Sequence, residues 1–171
     1  KFEKSYTSSK KMGGGIILDG SHELNYLQWM GGQIDYVCSF YRKIPKMNVE
    51  TEGISEILTQ FSSKVIGRIH LDFINPNYNR HFEILGNNGS INWSYQNLSF
   101  DIKKINGKKK SIKYENDPNK MYIDEMKHVI NCINNKESNK ISLEDAKKTL
   151  EISLLIKKSG IKKKVIKIPK N

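Results

Sequence analysis

The sequence predicts an α+β fold in which an open, mostly antiparallel β-sheet carries helices on one face. Apolar residues recur at helical spacing near the start of the chain and again in its last third, while the stretch between them is rich in short alternating runs. A final β-rich run, residues 164–168, stops at Pro169. The predicted order is therefore one helix, about seven strands, two helices and a closing strand.

The first helix is predicted over residues 14–30. Ile17, Leu24, Leu27 and Met30 follow helical spacing, and the glycine pair at positions 31 and 32 is a typical helix end. Five alternating runs follow, at residues 33–40, 53–61, 65–74, 80–85 and 90–94. Asn87-Asn88-Gly89 and Asn106-Gly107 predict hairpin turns, because Asn and Gly tolerate the positive φ that such turns require.

Two helices close the predicted domain. An apolar stripe from Met121 to Ile133 predicts the first, which should end near Asn134-Asn135. The second should begin at Ser142-Leu-Glu-Asp145, which resembles a capping box. Its inward residues are predicted to be the following four: Leu143, Ala146, Leu150 and Leu154.

Length and composition limit the class of protein. A chain of 171 residues is long enough to bury a core without disulfide or metal staples, so we expect residues 1–171 to form a single domain. No apolar run approaches the roughly 20 residues of a membrane helix, and no signal peptide is visible at the start. Cys38 and Cys132 lie far apart in apolar stretches, which favours a reducing compartment. We therefore expect a cytoplasmic protein without membrane association.

The net charge of +11 would fit a nucleic-acid binder, but the type of cation argues otherwise. Of the 29 cations, 26 are Lys, whereas phosphate recognition favours bidentate Arg and interleaved aromatic residues. Lys, Asn and Ile share A- and T-rich codons, so codon drift explains the excess at least as well. Nucleic acid is thus not the expected partner. The cations concentrate at residues 103–113 and 157–170, predicted as a hairpin tip and a C-terminal tail.

The densest polar group within an apolar element consists of Asp19, His22, Glu23 and Tyr26, which share one face of the predicted first helix. A carboxylate, an imidazole and a phenol in this arrangement can orient and deprotonate a hydroxyl group. The spacing by itself also fits ordinary solvent-facing carboxylates beside a partly buried histidine. Elsewhere, no metal-ligand set and no Ser/His/Asp or Cys/His nucleophile arrangement stands out.

The string GGGIILDGSHELNYLQWMGG resembles the start of the C-terminal domain of the Gfo/Idh/MocA family of NAD(P)-dependent sugar oxidoreductases. The resemblance continues in order through VETEG, ILTQF, GRIHLDF and RHFEILGNNGSINW. It ends with the helix pair YIDEMKHVINCINN and ISLEDAKKTLEISLLIKKS, so it spans nearly the whole chain.

This resemblance implies a function and a set of site residues. His22 would be the acid/base beside the substrate carbon, and Asp19 would hold that histidine or a sugar hydroxyl. Two residues separate Asp19 from His22 where many members of the family have three, so the two side chains face each other differently on a helix. The family's N-terminal Rossmann domain has no counterpart here, so NAD or NADP would be bound mainly by that missing half.

Other residues receive weaker assignments. Tyr6 and Lys10 precede the motif where the family places substrate contacts, and Glu23 and Tyr26 would also face the substrate. Gly14 and Gly15 lack the GxGxxG spacing, and we expect close backbone packing near the substrate or cofactor instead. His70 lies two residues from Asp72 on one sheet face and could line the pocket or an oligomer contact.

The resulting hypothesis is a substrate-binding and oligomerisation domain of a sugar oxidoreductase, inactive without its nucleotide-binding half. The family implies a homodimer or homotetramer through the sheet face. The alternative is a non-catalytic binding or scaffold domain that retains the fold.

Overall fold

A computed structural model describes residues 3, 5–45 and 48–169 of the chain. After a 3-10 turn at Tyr6–Ser8, the elements in chain order are α1 (Ile16–Asp19), α2 (Ser21–Gly31), β1 (Ile34–Arg42), β2 (Ile54–Phe61), β3 (Ile66–Asp72), β4 (His81–Gly86), β5 (Gly89–Ser94), β6 (Ser99–Lys104), β7 (Lys109–Lys113), α3 (Pro118–Ile133), α4 (Leu143–Lys162) and β8 (Ile166–Lys167). The chain divides into two compact units, Lys1–Ile74 with Ile141–Asn171, and Asn75–Lys140.

The first unit contains a four-stranded antiparallel sheet in the order β3-β2-β1-β8. Alternate residues of its strands point toward α1, α2 and α4, as the period of two requires. The core that results is formed by Ile16, Ile17, Leu24, Ile34, Val37, Ile57, Phe61, Leu71, Ile152, Ile156 and Ile168. Each such fully buried apolar side chain stabilises the fold by about 1.5–3 kcal/mol. The predicted α+β class with antiparallel strands and helices on one face is confirmed.

The predicted inward face of α4 is wrong. Leu143, Ala146, Leu150 and Leu154 are all exposed, and the buried residues of this helix are Thr149, Ile152, Ser153, Ile156 and Ser159. The reason is the close approach of α4 to β1. The Ser39 hydroxyl donates a 2.6 Å hydrogen bond to the Ile156 carbonyl, and the backbone N–H of Ser39 donates to Ser159 Oγ at 3.1 Å. Small hydroxyl side chains fit this contact where leucine would not.

The predicted single helix over residues 14–30 is also wrong, because it is divided at Gly20. A Cβ at this position would lie 2.8 Å from the Ile16 carbonyl oxygen and 2.9 Å from Leu71 Cδ1. The close packing requires glycine at this position; the single turn α1 ends at Asp19, and α2 begins at Ser21. The predicted end is correct, since α2 stops at Gly31 and Gly32 has a φ of 85°.

The second unit contains an antiparallel meander in the order β4-β5-β6-β7. Both predicted turns are present, with Gly89 at φ 145° and Gly107 at φ 83°. One sheet face carries Phe82, Trp93 and Phe100 in a cross-strand row, with ring centroids 5.2 Å apart for the first pair.

Helix α3 of the second unit confirms the predicted helix and begins at an Asp117 cap. Its stripe of apolar side chains, from Met121 to Ile133, lies exposed. Within the described residues, no helix combines the length and apolar character needed to cross a membrane.

The lysines at 103–113 lie at the β6–β7 hairpin as predicted, but the predicted C-terminal tail is wrong for its first part. Helix α4 extends to Lys162, so Lys157 belongs to a helix of the first unit. The described chain continues through β8 to Pro169, and Lys170 lies outside the described residues.

Candidate functional site

The segment before α1 is held by close backbone contacts at two glycines. The N–H of Gly14 donates to the Ser9 carbonyl and the N–H of Gly15 to the Thr7 carbonyl, each at 2.9 Å. A Cβ at Gly14 would lie 2.4 Å from the Thr7 oxygen, and Gly15 has a φ of 112°. Both positions therefore require glycine, and the segment that carries Tyr6 folds back against the start of α1.

Tyr6 and Asp19 are brought together by this fold. The Tyr6 hydroxyl donates a hydrogen bond to Asp19 Oδ1. This hydrogen bond and the negative charge of Asp19 raise the pKa of Tyr6 above its ordinary value of 10.0. Tyr6 therefore keeps its proton near neutral pH and orients the carboxylate, which leaves Asp19 Oδ2 able to accept a hydrogen bond from a ligand.

His22 lies in the first turn of α2 and contacts Glu23. Its Nε2 is 3.0 Å from Glu23 Oε1, and its side chain is 60% exposed. A carboxylate accepts only, so this contact assigns the ring proton to Nε2 and leaves Nδ1 as an acceptor. An exposed imidazole with a free acceptor nitrogen can take a proton from a hydroxyl group.

Asp19 and His22 have different partners. Within the described part of the chain, no hydrogen bond or ion pair joins the two side chains, because the break at Gly20 places them on separate helices. The predicted common helix face is thus replaced by two neighbouring pairs, Tyr6 with Asp19 and His22 with Glu23. Both pairs lie in the first unit.

The remaining predicted substrate residues are also in the first unit. Tyr26 is half-buried on α2. Lys10 is exposed, and its backbone N–H donates to Glu50 Oε2 at 2.9 Å. The side chain of Lys10 is thereby left at the surface near the Tyr6 segment.

His70 lies on β3 between two carboxylates. Its Nδ1 is 2.6 Å from Glu56 Oε1 and its Nε2 is 2.9 Å from Asp72 Oδ2. Partial burial lowers the pKa of His70, but the hydrogen bonds and charges of the two carboxylates outweigh it, so the net shift is upward from 6.5. Since both ring nitrogens face acceptors, this histidine favours the cationic state and is poorly suited to accept a proton.

A buried ion pair between Lys157 and Glu52 packs against the glycine segment, and the sequence does not predict it. Lys157 Nζ lies 2.8 and 2.9 Å from the two carboxylate oxygens of Glu52, whose side chain is 5% exposed. The Ile16 N–H donates to the Glu52 carbonyl at 3.0 Å, which ties the pair to the start of α1. Burial, with the charge of Glu52 second, raises the pKa of the neighbouring Tyr41. No local sequence signal marks either partner, because 105 positions separate them.

Two observations bear on metal and phosphate binding in the described residues. They contain no group of three or more His, Cys, Asp or Glu side chains that could hold a metal. The amides of Gly14 and Gly15 are bonded within the chain, and the space beside their Cα atoms is filled by Thr7 and Glu52. These two glycines therefore form no open phosphate cradle of the kind found in dinucleotide-binding loops. Any direct contact of theirs with a cofactor stays a prediction.

Several solved structures that resemble this chain are described as oxidoreductases or dehydrogenases. Levoglucosan dehydrogenase in complex with NADH and levoglucosan has a TM-score of 0.87 at 16% identity, over 98% of this chain and 54% of that one. An NAD binding oxidoreductase from Klebsiella pneumoniae has a TM-score of 0.83 at 16% identity, with the same coverage. The WlbA dehydrogenase from Bordetella pertussis, in complex with NADH and UDP-GlcNAcA, has a TM-score of 0.72 at 18% identity, over 92% and 49%.

The chain spans about half the length of these structures, so the shared region is one part of each oxidoreductase. Residues 2–92 match the model of the GFO/IDH/MocA C-terminal domain. The chain belongs to the GFO/IDH/MocA family, as its sequence predicts. A search of curated proteins finds no match.

Proposed function

We propose that the chain is the substrate-binding and oligomerisation domain of an NAD(P)-dependent oxidoreductase that acts on a sugar or sugar derivative. The family supports this proposal, as do neighbours whose complexes hold NADH together with levoglucosan or UDP-GlcNAcA. The observation that carries it is the placement of the Tyr6–Asp19 and His22–Glu23 pairs on either side of the break at Gly20.

The two pairs have complementary chemistry for a carbinol substrate. His22 Nδ1 accepts the hydroxyl proton of the reacting carbon during oxidation and returns it during reduction. Asp19, oriented by Tyr6, accepts a hydrogen bond from a second hydroxyl and so fixes the sugar ring relative to His22. Glu23 holds the ring of His22 in the required tautomer and stabilises the imidazolium that forms.

The cofactor belongs to a different part of the proposed enzyme. A nicotinamide dinucleotide supplies the hydride acceptor or donor when it is bound. Gly14 and Gly15 form no open phosphate cradle, and the solved neighbours are about twice as long. We therefore assign dinucleotide binding to a nucleotide-binding half, and the 171 residues by themselves to an inactive substrate domain.

A pair of measurements tests this division. In a fluorescence titration, the 171-residue chain is expected to show no tight binding of NADH, and a submicromolar Kd would contradict the proposal. The protein encoded by the complete reading frame should form NADH or NADPH with at least one member of a panel of aldoses, polyols and anhydrosugars. Failure of that protein to oxidise any of them, while it binds NADH, would favour the non-catalytic scaffold.

We also propose self-association through the outer face of the first sheet. Phe40, Leu58 and Ile66 point away from the helices and are 66%, 52% and 72% exposed. Exposed apolar side chains on a sheet face are typical of an interface, and here they alternate with the polar residues Arg68 and Glu56. In sedimentation experiments Leu58→Lys should reduce the assembly to monomers, whereas Leu85→Lys in the second unit should not. An unchanged mass for Leu58→Lys would exclude this face.

A further inference from the structure

The Thr51 hydroxyl donates a 2.7 Å hydrogen bond to the carbonyl of Thr7, the residue directly after Tyr6. Both threonines are buried, with exposed fractions of 1% for Thr51 and 7% for Thr7. The same carbonyl accepts the Gly15 N–H at 2.9 Å, so both of its lone pairs are used. Thr51 therefore fixes the backbone next to Tyr6 from a buried position.

The residue that follows Thr51 fixes the other member of the Tyr6–Asp19 pair. The Glu52 carbonyl accepts the Ile16 N–H at 3.0 Å, at the start of α1. Asp19 is the last residue of that single helical turn, and its own N–H donates at 2.9 Å to the carbonyl that precedes the turn. Two neighbouring residues, Thr51 and Glu52, thus hold the backbone beside Tyr6 and the turn that carries Asp19.

Burial does not hold the Tyr6 side chain in place. Tyr6 is 52% exposed, so its phenol would sample several rotamers if the backbone that carries it were free to move. Its hydrogen bond to Asp19 Oδ1 therefore depends on the fixed position of the segment. That hydrogen bond, with the charge of Asp19 second, raises the pKa of Tyr6, which gives the pair a measurable signature.

We propose that Thr51 is a positioning residue for the substrate site: its hydroxyl fixes the Thr7 carbonyl so that the Tyr6 hydroxyl meets Asp19. This role rests on the proposed function, because it requires a substrate hydroxyl that bonds to the oriented Asp19 carboxylate. Loss of the Thr51 hydroxyl leaves Asp19 in place but less well oriented. Substrate affinity should therefore fall more than the rate of the chemical step.

Tyrosine labelled with carbon-13 at Cζ reports on Tyr6 in the 171-residue chain without any need for activity. The Tyr6 signal is identified by its loss in Tyr6→Phe. Thr51→Val removes the hydroxyl and keeps a similar shape, and it should lower the midpoint of the Tyr6 titration toward 10.0 by at least about half a pH unit. The Cζ shift at neutral pH should move in parallel, because it senses the same hydrogen bond.

Thr59→Val is the matched control. Thr59 is a buried threonine of β2 whose hydroxyl also donates to a backbone carbonyl, at 3.3 Å, but outside the Tyr6 segment. This substitution should leave the Tyr6 signal unchanged. If Thr51→Val fails to fold, as circular dichroism would show, the pair Thr51→Ser and Thr51→Cys decides. The two side chains differ in one atom, and the serine hydroxyl should preserve the wild-type Tyr6 signal, whereas the weakly donating thiol should not.

Steady-state kinetics of the complete oxidoreductase tests the consequence for the substrate. Thr51→Val should raise KM for the sugar at least about threefold with little change in kcat. In a Tyr6→Phe background it should add nothing, because both changes act on one hydrogen bond. A protein that oxidises no sugar contradicts the proposed function, whereas an unmoved Tyr6 signal contradicts the role of Thr51. The proposal is overturned if Thr51→Val leaves that signal at its wild-type value, if Thr59→Val moves it equally, or if the effects of Thr51→Val and Tyr6→Phe on KM add.

Discussion

Lys157 Nζ lies 2.8 and 2.9 Å from the two carboxylate oxygens of Glu52, directly behind the glycine segment that carries Tyr6. A Cβ at Gly15 would come within 2.4 Å of Glu52 Oε1, so the glycine segment and the ion pair are in direct van der Waals contact. The pair joins α4 to the residues that precede β2. It therefore links the stability of the first unit to the geometry of the proposed substrate site.

Removing one member of this pair should destabilise the chain. Lys157→Met leaves the buried Glu52 without its cation. We expect the free energy of unfolding to fall by about 2–3 kcal/mol. This is low for a buried pair, because the Lys157 side chain is 23% exposed. Urea unfolding measures this change. Lys147→Met removes an exposed pair with Glu151 and should cost less than about 0.5 kcal/mol. Equal effects of the two substitutions would show that burial of the pair contributes nothing.

Alanine at Gly15 should be far more costly than alanine at Gly13. Both glycines have positive φ, 112° at Gly15 and 75° at Gly13, but a Cβ at Gly13 would meet nothing within 4 Å. Gly13→Ala should cost about 1 kcal/mol from backbone strain. Gly15→Ala adds a clash with the Glu52 carboxylate and should cost at least about 3 kcal/mol. Thermal unfolding compares the two, and a difference near zero would mean that Glu52 moves away freely.

The stability contributed by His70 should decrease with rising pH. Its pKa is raised in the folded chain, so the cation stabilises the fold fully below the ordinary value of 6.5, and this stabilisation is lost as the pH rises through the higher folded value. The difference in unfolding free energy between wild type and His70→Gln should therefore be larger at about pH 5.5 than at about pH 8.5. His81→Gln serves as the control. A difference that grows with pH would contradict the assigned contacts with Glu56 and Asp72.

His22 and Asp19 should affect turnover in different ways. In the complete oxidoreductase we expect His22→Ala to lower kcat at least about a hundredfold, the usual loss for a general acid/base. Tyr6→Phe removes the hydrogen bond that orients Asp19 but keeps the Asp19 carboxylate. This substitution should raise KM for the sugar more than it lowers kcat. Steady-state kinetics at saturating cofactor separates the two. Near-normal kcat for His22→Ala would favour the non-catalytic scaffold.

The sequence predicted the parts of the candidate site but not their pairing. Asp19, His22 and Glu23 were found because polar residues stand out within an apolar helical pattern. The pairing of Asp19 with Tyr6 and of His22 with Glu23 could not be predicted, since helical spacing assumed a single helix that Gly20 interrupts.

The sequence by itself determined the α+β class, the hairpin turns at Gly89 and Gly107, the capping box at Ser142 and the family. These features depend on periodicity, turn chemistry and motifs that act over a few neighbouring residues. Only the tertiary structure decided which face of α4 is buried, that Asp19 pairs with Tyr6, and that Glu52 meets Lys157 across 105 positions. Such contacts depend on how elements pack against each other, and the energy that selects them belongs to the folded chain rather than to any local segment.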